Sequence, residues 1–489
     1  AFGAHTGIGT LPITLYGTEE QKMKYIPRLA SGEWFGAYCL TEPGAGSDAN
    51  SGRTKAMLSE DGSHYKITGQ KMWISNAGFA ELFIVFARIE DDKNITGFIV
   101  PKELENGITL GDEEHKLGIH SSSTRQVFFN ETKVPVENML AGRGEGFKIA
   151  MNALNVGRIK LAAACLDAQR RATSISVKYA NERIQFKTPI AQFGAIQEKL
   201  ALMATNTYVG EAACYRAAHD VKARIESLQA EGKGHQESEL RGVEEFAVEC
   251  SLLKVAISED MQNCADEGLQ IFGGMGFSAD APMEAAWRDA RIGRIYEGTN
   301  EINRMLSVGM LLKKAMKGEL DLMTAVMGIG AQIDTPETMA QQTHTGPLAA
   351  EQDMVENLKK VFLLVAGSTV QKYGPDLDKN QEILMALSDI LIEIYMAESA
   401  VLRTVKNTQR SSEEAQQQQT AMSQLYLYEA VALCNKKARE VIVSISKGEN
   451  QQKLLTALNH LTQAQPLPNI TELKRKVAGE VISKNQYCF

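Results

Sequence analysis

The sequence predicts an α+β fold: a middle antiparallel β domain, then a four-helix bundle, then an additional C-terminal α-helical domain. Three observations predict it. From about Trp34 to Pro135, β-branched and aromatic residues crowd together with frequent turns, and no long helical pattern separates the runs. From about Gly146 the apolar period becomes helical. After a mixed stretch from Lys317 to Pro347, a second set of amphipathic helices begins. The expected boundaries are 1–33, 34–140, 141–313, 314–349 as a linker, and 350–489.

Taken in order, Gly17 to Leu29 (GTEEQKMKYIPRL) reads as a helix capped by Thr18, with Met23 and Ile26 on one face. HYKITGQKMWISN, LFIVFARI, ITGFIVP and RQVFFNETKVP read as strands of a mostly antiparallel barrel or sandwich. Three long helical stretches follow, with a fourth from Glu301 to Leu312; short loops suit a bundle. The polar stretch Arg224 to Gly242 is expected as a solvent loop between two bundle helices. Beyond the linker, MVENLKKVFLLVAGSTVQKY, EILMALSDILIEIYMAESAVLRTV and QLYLYEAVALCNKKAREVIVSI read as helices of the last domain. No internal repeat is visible.

Composition narrows the function. Hydrophobic content of 44% and charged content of 23% are those of an ordinary soluble globular protein. A net charge of -8 offers no basic stripe for a nucleic-acid backbone. No uninterrupted apolar run is long enough for a bilayer. The seven cysteines are scattered without a CxxC pair, which suits reduced thiols. No His/Cys/Asp cluster has metal-ligand spacing, and no GxSxG or Cys/His arrangement points to a covalent nucleophile. The chain opens at Ala1 on AFGAHTGIGTLPI with no signal peptide visible, so the true N-terminus is expected to lie outside this sequence.

One stretch organises the chemistry. Arg291 to Arg304 reads RIGRIYEGTNEINR and sets a single carboxylate, Glu297, between Tyr296 and Gly298. Gly298 permits a sharp turn, and Thr299 or Asn300 can cap the helix that follows. A reactive carboxylate can project from such a bend; an ordinary surface Glu beside a helix start reads the same way. Tyr38 to Asp48 (YCLTEPGAGSD) is a strand end leading into a small-residue loop whose amides, with Ser47, can bind phosphate. Lys71 to Gly78 (KMWISNAG) puts Trp73 and Ser75 on one strand face, able to wall a flat cofactor or simply to fill a core. Gln270 to Phe277 (QIFGGMGF) permits close backbone approach to a ligand, or merely stops a helix.

Together, YCLTEPGAGSD, KMWISN, Gly157–Arg158, NERIQF, QIFGGMGF and WRDARIGRIYEGTNEI strongly resemble the acyl-CoA dehydrogenase family, from about Gly3 to Leu312. The helical extension resembles that of the very-long-chain subfamily. The resemblance implies a helical first domain, of which only about Ala1 to Ser31 is present, then a β domain and a four-helix bundle. It implies FAD as cofactor and α,β-dehydrogenation of a long-chain acyl-CoA to a trans-2-enoyl-CoA in fatty acid β-oxidation, with electrons passed to an electron-transferring flavoprotein. Glu297 matches the catalytic base; the alternative position on a bundle helix corresponds to Gly157, which cannot serve. The donors implied for the thioester oxygen are the Glu297 backbone N–H and a flavin ribityl hydroxyl.

The implied cofactor contacts are Tyr38, Leu40, Thr41, Gly46, Ser47, Trp73, Ile74, Ser75, Thr299, Asn300 and Glu301. Arg183 and Phe186, with Gln270, Gly273 and Gly274, match residues reaching FAD from a neighbouring subunit, so at least a homodimer is implied. Ser47, Arg158, Tyr296 and Gly298 match substrate contacts. His120 stands where many members have Arg near the CoA route. Gly7 and Gly9 are expected to leave room for a long acyl tail. A non-catalytic assembly protein of respiratory complexes and an oxygen-using oxidase are the competing readings on this scaffold. NKKAREVIVSI or ITELKRKVAGEVI could lie on a membrane surface, or pack within the last domain. The expected location is cytoplasmic for a bacterial source and mitochondrial for a eukaryotic one, and not secreted.

Overall fold

A computed structural model describes residues 2–103, 106–340, 342–408, 410, 412–463 and 467–489. Its contacts divide the chain into two units, Ala1–Leu161 with Asp220–Phe246, and Ala162–His219 with Ala247–Phe489.

The first unit opens with helices α1 (Phe2–Thr6), α2 (Leu11–Tyr16) and α3 (Glu19–Ser31). Thr18 caps α3 as expected: its hydroxyl accepts from the Gln21 amide at 3.2 Å, and the Gln21 side chain accepts from the Thr18 amide at 3.0 Å. Gln21 also donates to the carbonyls of Glu137 (2.7 Å) and Met139 (2.9 Å), fixing the helix to the sheet's last strand.

In the opening loop, Gly9 packs backbone to backbone against the first strand. A Cβ on Gly9 would meet the Gly36 carbonyl carbon at 2.8 Å, and one on Gly7 would meet the Gly3 carbonyl oxygen at 2.5 Å. His5 joins the same contact, accepting from the Gly36 amide at Nδ1 (3.0 Å) while Nε2 meets the Leu29 carbonyl (3.0 Å). The small residues let the backbones of the loop and the first strand touch.

Strands β1 (Gly36–Cys39), β2 (Lys55–Leu58), β3 (His64–Ser75), β4 (Leu82–Ile89), β5 (Thr96–Pro101), β6 (Ile108–Glu113), β7 (Thr124–Pro135) and β8 (Met139–Leu140) form one sheet. Its order is β6-β7-β3-β2-β4-β5-β8, with β1 also on β4. The sheet is mixed, because β1 and β2 run parallel to β4. β3 folds back on β2, and β4 reverses again to pair on the far side of β2, so those two must run the same way. β4 lends Phe83 and Val85 to one core and Leu82, Ile84 and Phe86 to the other. Burial on both faces explains why LFIVFA is apolar without alternation.

The long helices are α4 (Gly146–Glu182) and α5 (Gly194–Ala230), with a hairpin of β9 (Ile184–Gln185) and β10 (Thr188–Pro189) between them. By length and composition α4 could cross a membrane, but charged residues interrupt its apolar run and 61% of its most apolar window is buried inside the chain. The predicted Arg224 to Gly242 loop is mostly helical: α5 runs to Ala230, and α6 (His235–Glu245) follows a short break carrying Gly232 and Gly234. Polarity there reflects a solvated helix face, and Gln236 ties α6 down by donating to the Leu15 carbonyl at 2.7 Å.

In the second unit, α7 (Ala247–Phe272) is flanked by the latter half of α4, the first part of α5, and α9 (Asn300–Met316), with α8 (Pro282–Ala290) between α7 and α9 in sequence. Gln169 of α4 donates to the Ile257 carbonyl (3.1 Å) and accepts from Thr207 of α5 (3.3 Å). Helices α10 (Leu322–Ala331), α11 (Ala349–Tyr373), α12 (Gln381–Asn407), α13 (Glu413–Ile445), α14 (Gly448–Leu461) and α15 (Ile470–Lys484) complete it. The stretch expected as a linker carries α10 and buries Ile329 and Met339 in the same core as α11 to α14. The apolar face of ITELKRKVAGEVI is spent on packing, since Val477, Ala478 and Val481 are fully buried.

Candidate active site

The candidate residues fall into two sets, one in each unit. In the first unit the loop after β1 is held by a buried ion pair. Lys71 donates to Glu42 at 2.7 Å and to the Leu40 carbonyl at 3.2 Å. Glu42 also accepts from the amides of Arg53 (2.6 Å) and Thr54 (3.1 Å) and closes a small bridge with Ala45. Burial alone would raise its carboxyl, but Lys71 and those hydrogen bonds outweigh it and keep Glu42 below the usual carboxylate range. The PGAGSD segment is thereby pinned at its base while its tip stays open. Among the described residues none accepts from the amides of Gly44, Gly46 or Ser47. A Cβ at Gly44 or Gly46 would meet nothing within 4 Å. Open amides on a rigid loop make an anion cradle.

Next to it, β3 bulges. The register against β7 shifts between Lys71 and Ile74, so both of those side chains point inward, three positions apart. The extra residue turns Trp73 outward, with a left-handed φ of 60° and 53% of its surface exposed. A bulky residue in that conformation is strained, and bulges re-aim side chains at functional rims. Trp73 is therefore not a core residue, the alternative its sequence left open. Ser75 is half-buried on the same strand. Tyr38, Leu40 and Ile74 are buried; Ile74 belongs to the sheet core, so it can offer a ligand only its backbone. Thr41 accepts from the Met72 amide at 2.9 Å, tying loop to bulge. Arg158 is buried on α4 and donates to Asn155 at 2.9 Å. His120, on an exposed loop, meets the Lys116 carbonyl at 2.7 Å through Nε2.

In the second unit, Glu297 and Gly298 both adopt positive φ, 59° and 78°. Thr299, not Asn300, caps α9, its hydroxyl accepting from the Ile302 amide at 3.2 Å. The bend is gripped from beneath. Buried Lys254 donates to the Gly298 carbonyl (2.8 Å) and to Asn300 Oδ1 (2.7 Å). Asn303 donates to the carbonyls of Glu297 (3.2 Å), Gly298 (2.8 Å) and Thr299 (3.1 Å). Asn300 also donates to Glu259 at 2.9 Å, so its buried side chain holds the bend and is not placed to touch a cofactor. Glu301 lies exposed in the first turn of α9, and Tyr296 is 42% exposed. Lys71, Lys254 and Asn303 were missed from sequence; a lone Lys inside the apolar run SLLKVAI was the available signal.

The remaining residues of this unit are outward-facing. Phe186 and Lys187 form the turn of the β9–β10 hairpin with φ of 50° and 61°, and Phe186 is 90% exposed. Arg183, Gln270, Gly273 and Gly274 are exposed, and Gly273 has a φ of 58°. Among the described residues no group of His, Cys, Asp and Glu could hold a metal ion.

Family profiles match along the chain: the acyl-CoA dehydrogenase N-terminal domain at residues 1–33, its middle domain at 37–132, and its C-terminal domain at 144–311 and, by a second profile, at 357–460. A probable acyl-CoA dehydrogenase of Bacillus subtilis (strain 168) is 42% identical over 487 residues, covering 100% of this chain and 81% of that protein. The mitochondrial very long-chain specific acyl-CoA dehydrogenase of Homo sapiens is 33% identical over 493 residues, covering 94% of this chain and 70% of that protein. The crystal structure of a Bacillus anthracis acyl-CoA dehydrogenase complexed with FAD superposes with a TM-score of 0.95 at 42% identity, covering 100% of this chain and 82% of that one.

Proposed function

This chain belongs to the acyl-CoA dehydrogenase family, and on that premise we propose that Glu297 is the base of an FAD-dependent α,β-dehydrogenation of long-chain acyl-CoA thioesters. The observation that carries it is the bend itself: a carboxylate on a left-handed residue, clamped by Lys254 and Asn303, at the entrance of α9. Nothing about folding requires Glu there, where Gly would be unstrained.

The residues suit FAD. The open amides of Gly46 and Ser47 fit its pyrophosphate, and the outward ring of Trp73 with the Ser75 hydroxyl fits its flat ring system. When bound, FAD supplies the acceptor for the hydride leaving the substrate's β-carbon. Glu297 takes the α-proton. A free Glu titrates near ~4.3, too acidic to be an efficient base for a carbon acid. The start of α9 stabilises the anion further, but a helix end contributes only about 0.3–1 kcal/mol. Desolvation by bound substrate shifts a carboxylate by up to about 3–5 pKa units, so it prevails. The Glu297 amide is the donor we assign to the thioester oxygen as enolate charge develops. Tyr296 and Gly298 flank the thioester, and Arg158 orients the substrate.

Long acyl chains are proposed from the likeness to the very long-chain relative, which extends through the C-terminal helices. An electron-transferring flavoprotein as acceptor and a place in β-oxidation follow from the family resemblance. The exposed Phe186 turn and the Gly273–Gly274 end of α7 support a homodimer in which they meet the partner's cofactor. The test is anaerobic mixing of the FAD-loaded protein with a series of acyl-CoA thioesters. The expected result is flavin bleaching that peaks at long chains, while Glu297→Gln keeps yellow FAD and fails to bleach. Bleaching by Glu297→Gln at the native rate overturns the assignment of the base.

A further inference from the structure

The clamp under Glu297 does not end at α7. Glu259, which accepts from Asn300, is also gripped by both terminal nitrogens of Arg304, at 2.7 and 2.8 Å. Arg304 stands on α9, one turn past the bend, and its Nε donates to Asp389 of α12 at 2.7 Å. Asp389 in turn pairs with Lys437 of α13 at 2.9 Å. One turn further along α9, Ser307 meets Ser388 of α12, hydroxyl to hydroxyl, at 2.9 Å. Bidentate geometry fixes the plane of a guanidinium, and the third contact to Asp389 fixes its direction. The first turn of α9 is thus tied to two C-terminal helices through groups that are mostly out of solvent.

From this geometry we infer that Asp389 and Lys437 are positioning residues for Glu297, so that the C-terminal helices set the aim of the base as well as extending the fold. The inference rests on Glu297 being the base. It goes further in tying the aim of the base to side chains of α12 and α13. Without Asp389, Arg304 keeps Glu259 but loses the contact that orients it. Asn300 and the bend then sample more than one arrangement. A small displacement of a base from its carbon acid lowers the rate of proton abstraction without weakening substrate binding.

The test uses the FAD-loaded full chain with palmitoyl-CoA and its α,α-dideuterated form under anaerobic conditions. Asp389→Asn and Lys437→Met are compared with Asp389→Glu and Lys437→Arg. Expected are a bleaching rate constant lowered about tenfold, KM within about twofold, and a larger deuterium isotope effect, with the Glu and Arg variants recovering most of the rate. FAD content and urea midpoint serve as the folding check. A merely structural role would lower the amplitude of bleaching while leaving the rate constant and isotope effect of the surviving enzyme native. That outcome, or native kinetics in both disruptive variants, overturns the inference. Failure of the native chain itself to bleach overturns the dehydrogenase reading instead.

Discussion

Lys254→Met should cost most of the turnover while leaving the cofactor in place. The Lys254 ammonium is fully buried and makes two charge-assisted bonds, to the Gly298 carbonyl and to Asn300 Oδ1. Such bonds contribute about 1.5–3 kcal/mol each. The loss is partly offset, because Asn303 still reaches the Gly298 carbonyl and Ser258 still reaches Asn300 at 3.4 Å. A net of about 2–4 kcal/mol therefore leaves the bend. The left-handed conformation of Glu297 carries a strain of about 1–3 kcal/mol that this clamp has been opposing. The two are of the same size, so the bend relaxes. At about 1.4 kcal/mol per factor of ten, the expected fall in the anaerobic bleaching rate is about 100-fold. Met matches the stem of Lys in length and apolar character, which limits the effect on packing. The assay is rapid mixing with palmitoyl-CoA, after FAD content and thermal midpoint have been recorded. A rate within about threefold of native, in a variant that has lost Lys254, would refute the claim that this clamp aims the base.

Three further outcomes are expected. Lys71→Met leaves the Glu42 carboxylate buried without its cation, a cost of about 3–5 kcal/mol, and should release FAD on gel filtration; Lys71→Met with Glu42→Leu should recover stability but not FAD retention. Glu393, half-buried on α12, is pushed up to about 7, chiefly by desolvation, with the Tyr426 hydrogen bond pulling the other way. Between 4.5 and 7 the folded chain then keeps a proton that the unfolded chain has released. Stability should fall as pH rises through that window, by up to about 3 kcal/mol, and level off above it; Glu393→Gln should flatten the slope in urea midpoints measured at about pH 5 and about pH 8. Gly36→Ala drives a Cβ to 2.7 Å from the Gly9 carbonyl oxygen, which is backbone and yields poorly. That variant should lose about 1–3 kcal/mol, read as a lower thermal midpoint.

What could be read from sequence was whatever depends on neighbours along the chain. Thr18 followed by Gln21 announces a capping box, and the Thr299 cap after Gly298 announces a helix start. The switch of period near Gly146 announces α4. What could not be read depends on partners far away. The outward turn of Trp73 follows from a bulge that exists only because β7 pairs with β3 in a shifted register. That Gly9 packs against Gly36 could not be read, because nothing local brings the first strand to that turn. The polarity of Arg224 to Gly242 suggested a loop because the residues α6 buries, Ser238 and Gly242, are small and make no apolar stripe.

Both sets of site residues turn out to be built the same way. Trp73 and Glu297 each hold a positive φ that their side chains disfavour. Beneath each lies a lysine with almost no exposed surface, Lys71 or Lys254, whose ammonium binds a backbone carbonyl and a side-chain oxygen of the adjoining loop. A buried ammonium costs several kcal/mol to desolvate, so neither is explained by stability alone; an apolar residue of similar volume would pack at lower cost. What an apolar residue could not do is donate to two oxygens at fixed angles and so hold in place the loop or bend they belong to. Lys254 is best understood as the means by which the fold keeps the unfavourable conformation of Glu297 in place, and Lys71 as the anchor of the loop beside the Trp73 bulge. If that is right, replacing Lys254 should shift the bend before it lowers global stability. Amide hydrogen exchange would then report faster opening at Ile302 and Asn303, whose amides bond to Thr299, in a Lys254→Met variant whose urea midpoint has moved little.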